Sequence, residues 1–357
     1  MLHHHQCWLD VDPGHDDALA ILLAGYTLQI IGISTVAGNQ TVDKTTDNTL
    51  RTLEATGLSS HSTCPCIVKG QSQPLMRPPL LCPEIHGDSG LDAPGGQPLF
   101  PPPQHITAID SIPAPVVMFE KISQAYNNNN NNNAPNTKIK LIATASLTNV
   151  ALLLTLYPQI IPMIDIIIMG GCLGVGNTSP VAEFNIQVDP HSASIVFESG
   201  VNLTMVPLEV THKALATPSF MDAVVSGGGG SSGMDRNRNG ALLPTAPASA
   251  FRKKIIDLLK YFAHSYKEVF SFDHPPIHDA CAVFYALHPE AFEVKRLRVD
   301  VETCSELSYG QTVVDVWKQS KKEANCWVCL DMDVDMFHES MLEAIGKADE
   351  VVSGVTK

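Results

Sequence analysis

Asp10, Asp12, Asp16 and Asp17 crowd into the segment LDVDPGHDDALAILLA, the first two closing an apolar run and the last two opening a helical pattern. Residues two apart in an extended strand point the same way, so Asp10 and Asp12 share a face. Pro13 and Gly14 turn the chain, and Ala18, Leu19, Ile21, Leu22 and Leu23 continue at helical apolar spacing. Asp16 and Asp17 therefore stand at a helix N-terminus, where unpaired amides and the helix dipole favour negative charge. Those amides stabilise one or two carboxylates, but four at close range in a partly desolvated pocket still repel one another strongly. A hard cation resolves that repulsion, and oxygen-only ligands suit Ca²⁺ or Mg²⁺ rather than Zn²⁺. Helix capping is the alternative; it accounts for Asp16 but not for the strand-end pair.

Such a cluster needs strands that end together, and the chain supplies them. QCWLDV reads as a strand, DDALAILLAG as a helix and IIGISTVAG as the next strand, followed by a polar-faced helix over 43–56. After a Pro-rich connector from Pro74 to Pro103 come a helix near 114–126, the strand IKLIATAS, the helix LTNVALLLTLYP and the strand IDIIIMGG. This alternation predicts an α/β fold: one domain over 1–357 with a largely parallel, Rossmann-like central sheet flanked by helices. Low-complexity inserts at about 127–136 and 226–240 read as solvated, disordered loops, because they lack apolar residues to offset the entropy of ordering. The segment 250–272 reads as an amphipathic helix with Arg252, Lys253 and Lys254 on a solvated face.

With 357 residues and 44% hydrophobic content the chain can bury a full core. Its formal net charge of -14 disfavours nucleic acid or an anionic membrane as partner and suits a neutral or cationic small molecule. No apolar run approaches membrane-spanning length and nothing resembles a cleavable secretory segment. Nine cysteines without zinc-ribbon spacing, including one CxxC at Cys326 and Cys329, read as reduced thiols and point to the cytoplasm.

Ligands of such sheets bind beyond the carboxyl ends of the strands. Residues just after the apolar runs are therefore the candidates: Gly38 and Asn39, then Thr144 and Asn149, then Met169 with Asn177, Glu183 and Asn185, then His212, and lastly His278 and Asp279. Asp279 opens another apolar helical run, a second acidic helix start that could complete a metal shell one loop cannot close. Asn177, Glu183 and Asn185 combine two amides and a carboxylate, a set suited to the hydroxyls of a sugar. No P-loop, no GxGxxG after a strand and no GxSxG elbow occurs. An EF-hand counted from Asp10 has His15 at its sixth position and Ile21 at its twelfth, so it fails.

Taken in order, DVDPGHDDALAILLA, TVAGNQT, EIHGDSG, ATASLTNVALL, MGG with GNTSPVAEFNIQVDP, THKALAT and IHDACAVFY resemble the inosine-uridine-preferring nucleoside hydrolases from Asp10 to about Asp335. The resemblance implies calcium-dependent hydrolysis of the N-glycosidic bond of purine and pyrimidine ribonucleosides such as inosine and uridine, giving ribose and free base in nucleoside salvage. It also implies a homodimer or homotetramer. By position, Asp12, Asp17, the carbonyl oxygen of Thr144 and Asp279 would hold Ca²⁺, with Asp10 supporting the metal aspartates from behind. Asp16, Asn39, Glu183 and Asn185 would contact ribose, Asn177 its 5′ hydroxyl, and Met169 would pack on the sugar. Asp12 would take the proton of the attacking water, His278 would be the leaving-group acid and His86 a second histidine near the base. Chemistry agrees with these roles: an oxocarbenium-like sugar is stabilised by nearby carboxylates, and a departing base needs a proton. Two other readings are a phosphatase of the haloacid-dehalogenase kind, with Asp10 as nucleophile and Mg²⁺, and a non-catalytic nucleoside sensor.

Overall fold

The structure, a computed structural model, describes residues 5–60, 64–131, 137–227 and 248–354. Its strands in chain order are β1 (Gln6–Val11), β2 (Gln29–Thr35), β3 (Cys66–Lys69), the short pair β4 (Asp92–Ala93) and β5 (Gln97–Pro98), β6 (Ile139–Ala143), β7 (Ile164–Met169), β8 (Asn202–Val206), β9 (Phe292–Leu297), the short pair β10 (Val299–Val301) and β11 (Thr312–Val314), and β12 (Cys326–Met332). The helices are α1 (His15–Thr27), α2 (Val42–Ala55), α3 (Pro83–His86), α4 (Ala114–Asn131), α5 (Thr148–Leu156), α6 (Phe184–Val188), α7 (Pro190–Glu198), α8 (Leu208–Thr211), α9 (Pro218–Ser226), α10 (Ala250–Phe270), α11 (Ala280–Leu287) and α12 (Val334–Val352).

Eight strands form one sheet in the order β3-β2-β1-β6-β7-β8-β12-β9, parallel except for β9 against β12. The expected largely parallel sheet flanked by helices is therefore present, with one antiparallel edge. The chain begins in the middle, steps outward through β2 to β3, and then returns to place β6 on the other flank of β1. That reversal opens a crevice at the carboxyl ends of β1 and β6, the place where such sheets bind ligands.

Strand alternation sorts β1 between two layers. Cys7, Leu9 and Val11 join the core shared with α1, α11 and α12, whereas Trp8 joins the opposite core with α4, α5 and α7. Continuous apolar runs such as IDIIIM in β7 are buried on both faces, as parallel strands covered by helices require.

Two sequence expectations change. The loop expected from Asn127 begins as the last turn of α4, which runs to Asn131, and Asn129 Nδ2 donates to Gln6 Oε1 at 3.0 Å. Extending an existing helix adds a hydrogen bond for each residue fixed, and this anchor offsets the poor propensity of asparagine. The rest of that insert, and the second insert beyond Gly227, lie outside the described residues. Arg252 is not on a solvated face: its Nε donates to Asp349 Oδ2 at 2.7 Å and its Nη1 to the Val224 carbonyl at 2.8 Å, tying α10 to α12 and α9. Lys254 likewise reaches inward to the Leu99 carbonyl at 3.4 Å.

Because both partners of Arg252 are largely buried, Arg252→Ala is expected to lower stability by about 1–3 kcal/mol. The midpoint of urea unfolding checks this; an unchanged midpoint contradicts it.

Candidate active site

The acidic segment sits where β1 hands the chain to α1. Asp12 lies one residue past β1, and Gly38 lets the next strand's loop approach it so closely that any Cβ there would collide with its carboxylate. Asn39 then donates its backbone N–H to Asp12 Oδ2 at 2.7 Å, and its side-chain amide to the Asp12 carbonyl at 3.1 Å and to Asp17 Oδ2 at 3.2 Å. Asp17, rather than Asp16, supplies the capping contact, accepting from Gly14 N at 3.1 Å. Its other oxygen accepts from Thr144 Oγ1 at 2.8 Å, and Thr144 N in turn donates to the Asp10 carbonyl at 2.9 Å. The ends of β1 and β6 are thus stitched together through one threonine.

Asp279 comes from the far end of the sequence, at the N-terminus of α11, and its side chain caps no amide there. Asp16, Asp17 and Asp279 bring carboxylate oxygens to within 4.8 Å of one another, and all three are buried. Asp12 stands beside this triplet rather than within it. One oxygen each of Asp12 and Asp16, and one of Asp10 behind them, is buried without a hydrogen-bond partner. Burial, reinforced by the charge of Asp17, holds Asp12 well above the ordinary aspartate range and lifts Asp16 to about 8. Burial first, then Asp16 and Asp17, raises Asp279 likewise. Orphaned oxygens beside crowded carboxylates fit an oxygen-ligated divalent cation, with Asp16, Asp17 and Asp279 converging on it.

Asp10 is set apart. It lies on the side of β1 facing α5, where its Oδ1 accepts from Ser34 Oγ at 2.5 Å and Asn149 Nδ2 at 2.8 Å; burial lifts it to about 7. Asn149 also donates to the Thr35 carbonyl, so Asp10 is spent on fixing the neighbouring strand and helix. That position removes the support for a nucleophilic Asp10.

The cavity above the acids is lined by Asp16, Asn39, His86, Thr144, Met169, Asn177, Glu183, Asn185, His278 and Asp279. These ten are expected site residues; Asp12 and Asp17, expected there too, lie behind the lining. Glu183 caps α6, accepting from the backbone N–H of Asn185, Ile186 and Gly171, while burial lifts it to about 7. Asn185 Nδ2 donates to the carbonyls of Thr144 and Met169 at 3.0 and 3.1 Å, joining the ends of β6 and β7. Asn177 Oδ1 accepts from Phe184 N at 2.9 Å. Each amide is clamped by one end, which orients the remaining polar atom.

The opposite end of the cavity is aromatic and uncharged. His278 lies between Thr211 Oγ1 at Nδ1 and Tyr266 Oη at Nε2, both at 2.7 Å, and burial, then His212, keeps its ring neutral. Tyr266 and Phe270 of α10, Ile85 of α3 and its N-cap Cys82 also face the cavity, and sequence reasoning missed all four. The tyrosine is indistinguishable in sequence from a core position, since Phe262 and Tyr266 sit four apart on a buried helix face. His212, expected at the site, packs edge-on against His278 at 5.4 Å between ring centroids and does not line the cavity.

The chain matches the model of the inosine-uridine preferring nucleoside hydrolase family over residues 7–339. It is 46% identical over 343 residues to a probable ribonucleoside hydrolase of Dictyostelium discoideum, covering 95% of this chain and 93% of that protein. It is 37% identical over 342 residues to the pyrimidine-specific ribonucleoside hydrolase RihA of Shewanella baltica strain OS185, covering 93% and 95%. Among solved structures, a purine-preferring ribonucleoside hydrolase from Gardnerella vaginalis shares the fold with a TM-score of 0.79 at 23% identity, over 97% of this chain and 99% of that one. The chain belongs to the inosine-uridine preferring nucleoside hydrolase family and is a ribonucleoside hydrolase, an N-glycosidase.

A proton affinity for Asp16 raised from 3.8 to about 8 means that the cation-free folded state binds protons the unfolded chain releases. Its stability therefore falls as pH rises from about 4 to about 8. A divalent cation should reverse that loss, so added Ca²⁺ is expected to raise the melting temperature more at pH 8 than at pH 5. A shift that is absent, or that shrinks with rising pH, contradicts the cation site.

Proposed function

We propose that this enzyme is a calcium-dependent hydrolase of purine and pyrimidine ribonucleosides, releasing ribose and free base in nucleoside salvage. The single observation that carries the reading is one cavity with converging buried carboxylates at one end and neutral imidazoles at the other. Asp12, Asp17, Asp279 and the Thr144 carbonyl are the ligands we assign to Ca²⁺, with Asp16 close enough to join them. A carboxylate-rich, irregular oxygen set with room for substrate hydroxyls suits Ca²⁺ better than the strict octahedron of Mg²⁺. When bound, the ion supplies the charge that acidifies a water and grips the vicinal ribose hydroxyls.

The residues divide the remaining work. Asp16, Asn39, Glu183 and Asn185 bind the ribose, Asn177 reaches its 5′ hydroxyl, and Met169, closing β7, packs under the sugar. As the N-glycosidic bond breaks, positive charge develops on the sugar, and the buried carboxylates beside it stabilise that charge. Asp12 takes a proton from the water that attacks the anomeric carbon. Its Oδ1, which has no protein hydrogen-bond partner, is open to that water. The departing base takes a proton at the other end from the His278–Tyr266 pair. With the imidazole proton on Nε2 and bonded to the tyrosine oxygen, the Tyr266 hydroxyl hydrogen is free to point at the leaving group. After release, the proton held by Asp12 balances the one the pair has given up.

We read the chain as one catalytic unit. Its nine free cysteines support a reducing, cytoplasmic setting. Among the described residues, no helix is long and apolar enough to cross a membrane.

Asp12→Ala is expected to lower kcat on inosine and uridine by about a thousandfold or more while circular dichroism stays native. Activity above about a thousandth of wild type contradicts the base assignment. His278→Ala and Tyr266→Phe should each slow inosine hydrolysis far more than hydrolysis of p-nitrophenyl riboside, whose leaving group needs no proton. Equal losses on the two substrates would remove the acid role.

A further inference from the structure

Beside the cavity that holds the acids lies a second one of about 320 Å³, which the reaction described above leaves unused. Six residues line both: Asn177, Thr178 and Phe184 from the segment after β7, and Cys82, Ile85 and Phe270 from α3, its N-cap and α10. None of the carboxylates that converge on the cation lines the second cavity, and neither do Tyr266, His278 or His86. It is reached past Asn177, not through the acids or the imidazoles.

The walls special to the second cavity are Leu80, Leu81 and Val269, with Gln187 and the exposed Glu84. Leu80 is 41% and Val269 45% exposed, so apolar surface stands uncovered next to the substrate cavity. No Lys, Arg or His is among the lining residues, and the one carboxylate is that of Glu84. A phosphate would find no cation there and would meet repulsion instead. The chemistry that fits is uncharged and apolar.

Asn177 decides which part of a substrate enters. Its turn is fixed, because Asn177 N donates to the Ala182 carbonyl at 3.2 Å, Gly176 N donates to the Pro180 carbonyl at 3.1 Å, and any Cβ on Gly176 would collide with the Ala182 backbone. The Phe184 N–H occupies Asn177 Oδ1, so the atom left for a ligand is Nδ2, a donor. A donor asks only for an acceptor. The ribose 5′ hydroxyl satisfies it, and so does an ether oxygen or, more weakly, a thioether sulfur whose chain runs on into the second cavity. In a β-ribonucleoside the 2′ and 3′ hydroxyls lie on the opposite face of the ring from C5′, so gripping the diol at the acids turns C5′ away from them.

We infer that the second cavity is a subsite for an uncharged, apolar substituent carried on C5′ through oxygen or sulfur, so that the enzyme also cleaves 5′-alkoxy- and 5′-alkylthio-ribonucleosides. The inference rests on the proposed nucleoside site and adds a substrate class to it. The bond chemistry is unchanged: the bond to the base breaks, water adds at the anomeric carbon, and the 5′ substituent leaves on the sugar.

The test uses the full-length enzyme with Ca²⁺ and four substrates: inosine, 5′-deoxyinosine, 5′-deoxy-5′-methylthioinosine and 5′-deoxy-5′-butylthioinosine. Methylthio should exceed 5′-deoxy, because the sulfur restores an acceptor for Asn177. Methylthio to butylthio adds three methylenes, and in a cavity open to water each is expected to raise kcat/KM about twofold, about eightfold in all. The gain should lie in KM, with kcat little changed, since the added contacts are the same before and during bond breaking. Val269→Trp, which fills the cavity, and Val269→Asp, which puts a charge in it, should each cancel the gain and leave inosine within about twofold of wild type. A flat series in an enzyme that hydrolyses inosine, or a gain that survives in both variants, overturns the inference and leaves the nucleoside reading in place. Failure to hydrolyse inosine at all overturns that reading, and the subsite with it.

Discussion

Three buried carboxylates from opposite ends of the sequence cannot all be anionic within 4.8 Å of one another unless positive charge stands between them. Every other feature of the site follows from that constraint. Gly38 brings Asn39 to Asp12, Thr144 bonds Asp17, and α11 delivers Asp279 without spending its side chain on a cap. The protein assembles ligands and leaves oxygens unpartnered, in a place where an ordinary core would hold satisfied or apolar groups.

The sheet topology makes that meeting possible. Because the chain starts at the central strand and later returns beside it, the turn after β1 and the turn after β6 border one crevice. Asn185 then ties β7 into the same rim through the carbonyls of Thr144 and Met169. The cavity is polarised along its length, anionic where a sugar would develop positive charge and neutral where a base would depart. His278 and His86 are both kept uncharged by burial, so this end of the cavity offers hydrogen-bond direction rather than charge.

Much of this was legible in the sequence. The first acidic segment was readable because four aspartates fall between positions 10 and 17, across a strand end and a helix start, and Asp279 because it repeats a helix-start pattern. The polar lining residues Asn177, Glu183 and Asn185 were readable from residue type, and the alternation of strands and helices gave the sheet. What stayed hidden depended on contacts across the fold. Tyr266 occupies a position four residues from Phe262 and reads as core, and Thr211 is overshadowed by the adjacent His212, although the threonine makes the bond to His278. Composition misled at Asn127–Asn131, where a packed helix end overrides a homopolymer, and at Arg252, where a basic run conceals a buried pairing with Asp349. The separation of Asp10 from the triplet also needed coordinates, because strand parity alone places it with Asp12.

Whether both ends of the chain share one ion can be measured directly by equilibrium dialysis of the metal-stripped enzyme against radioactive calcium. One tightly bound Ca²⁺ per chain is expected in the wild type, and its loss is expected in Asp279→Ala, although about 260 residues separate that position from Asp17. Wild-type protein that retains no calcium, or a variant that binds it as tightly as wild type, would contradict the account.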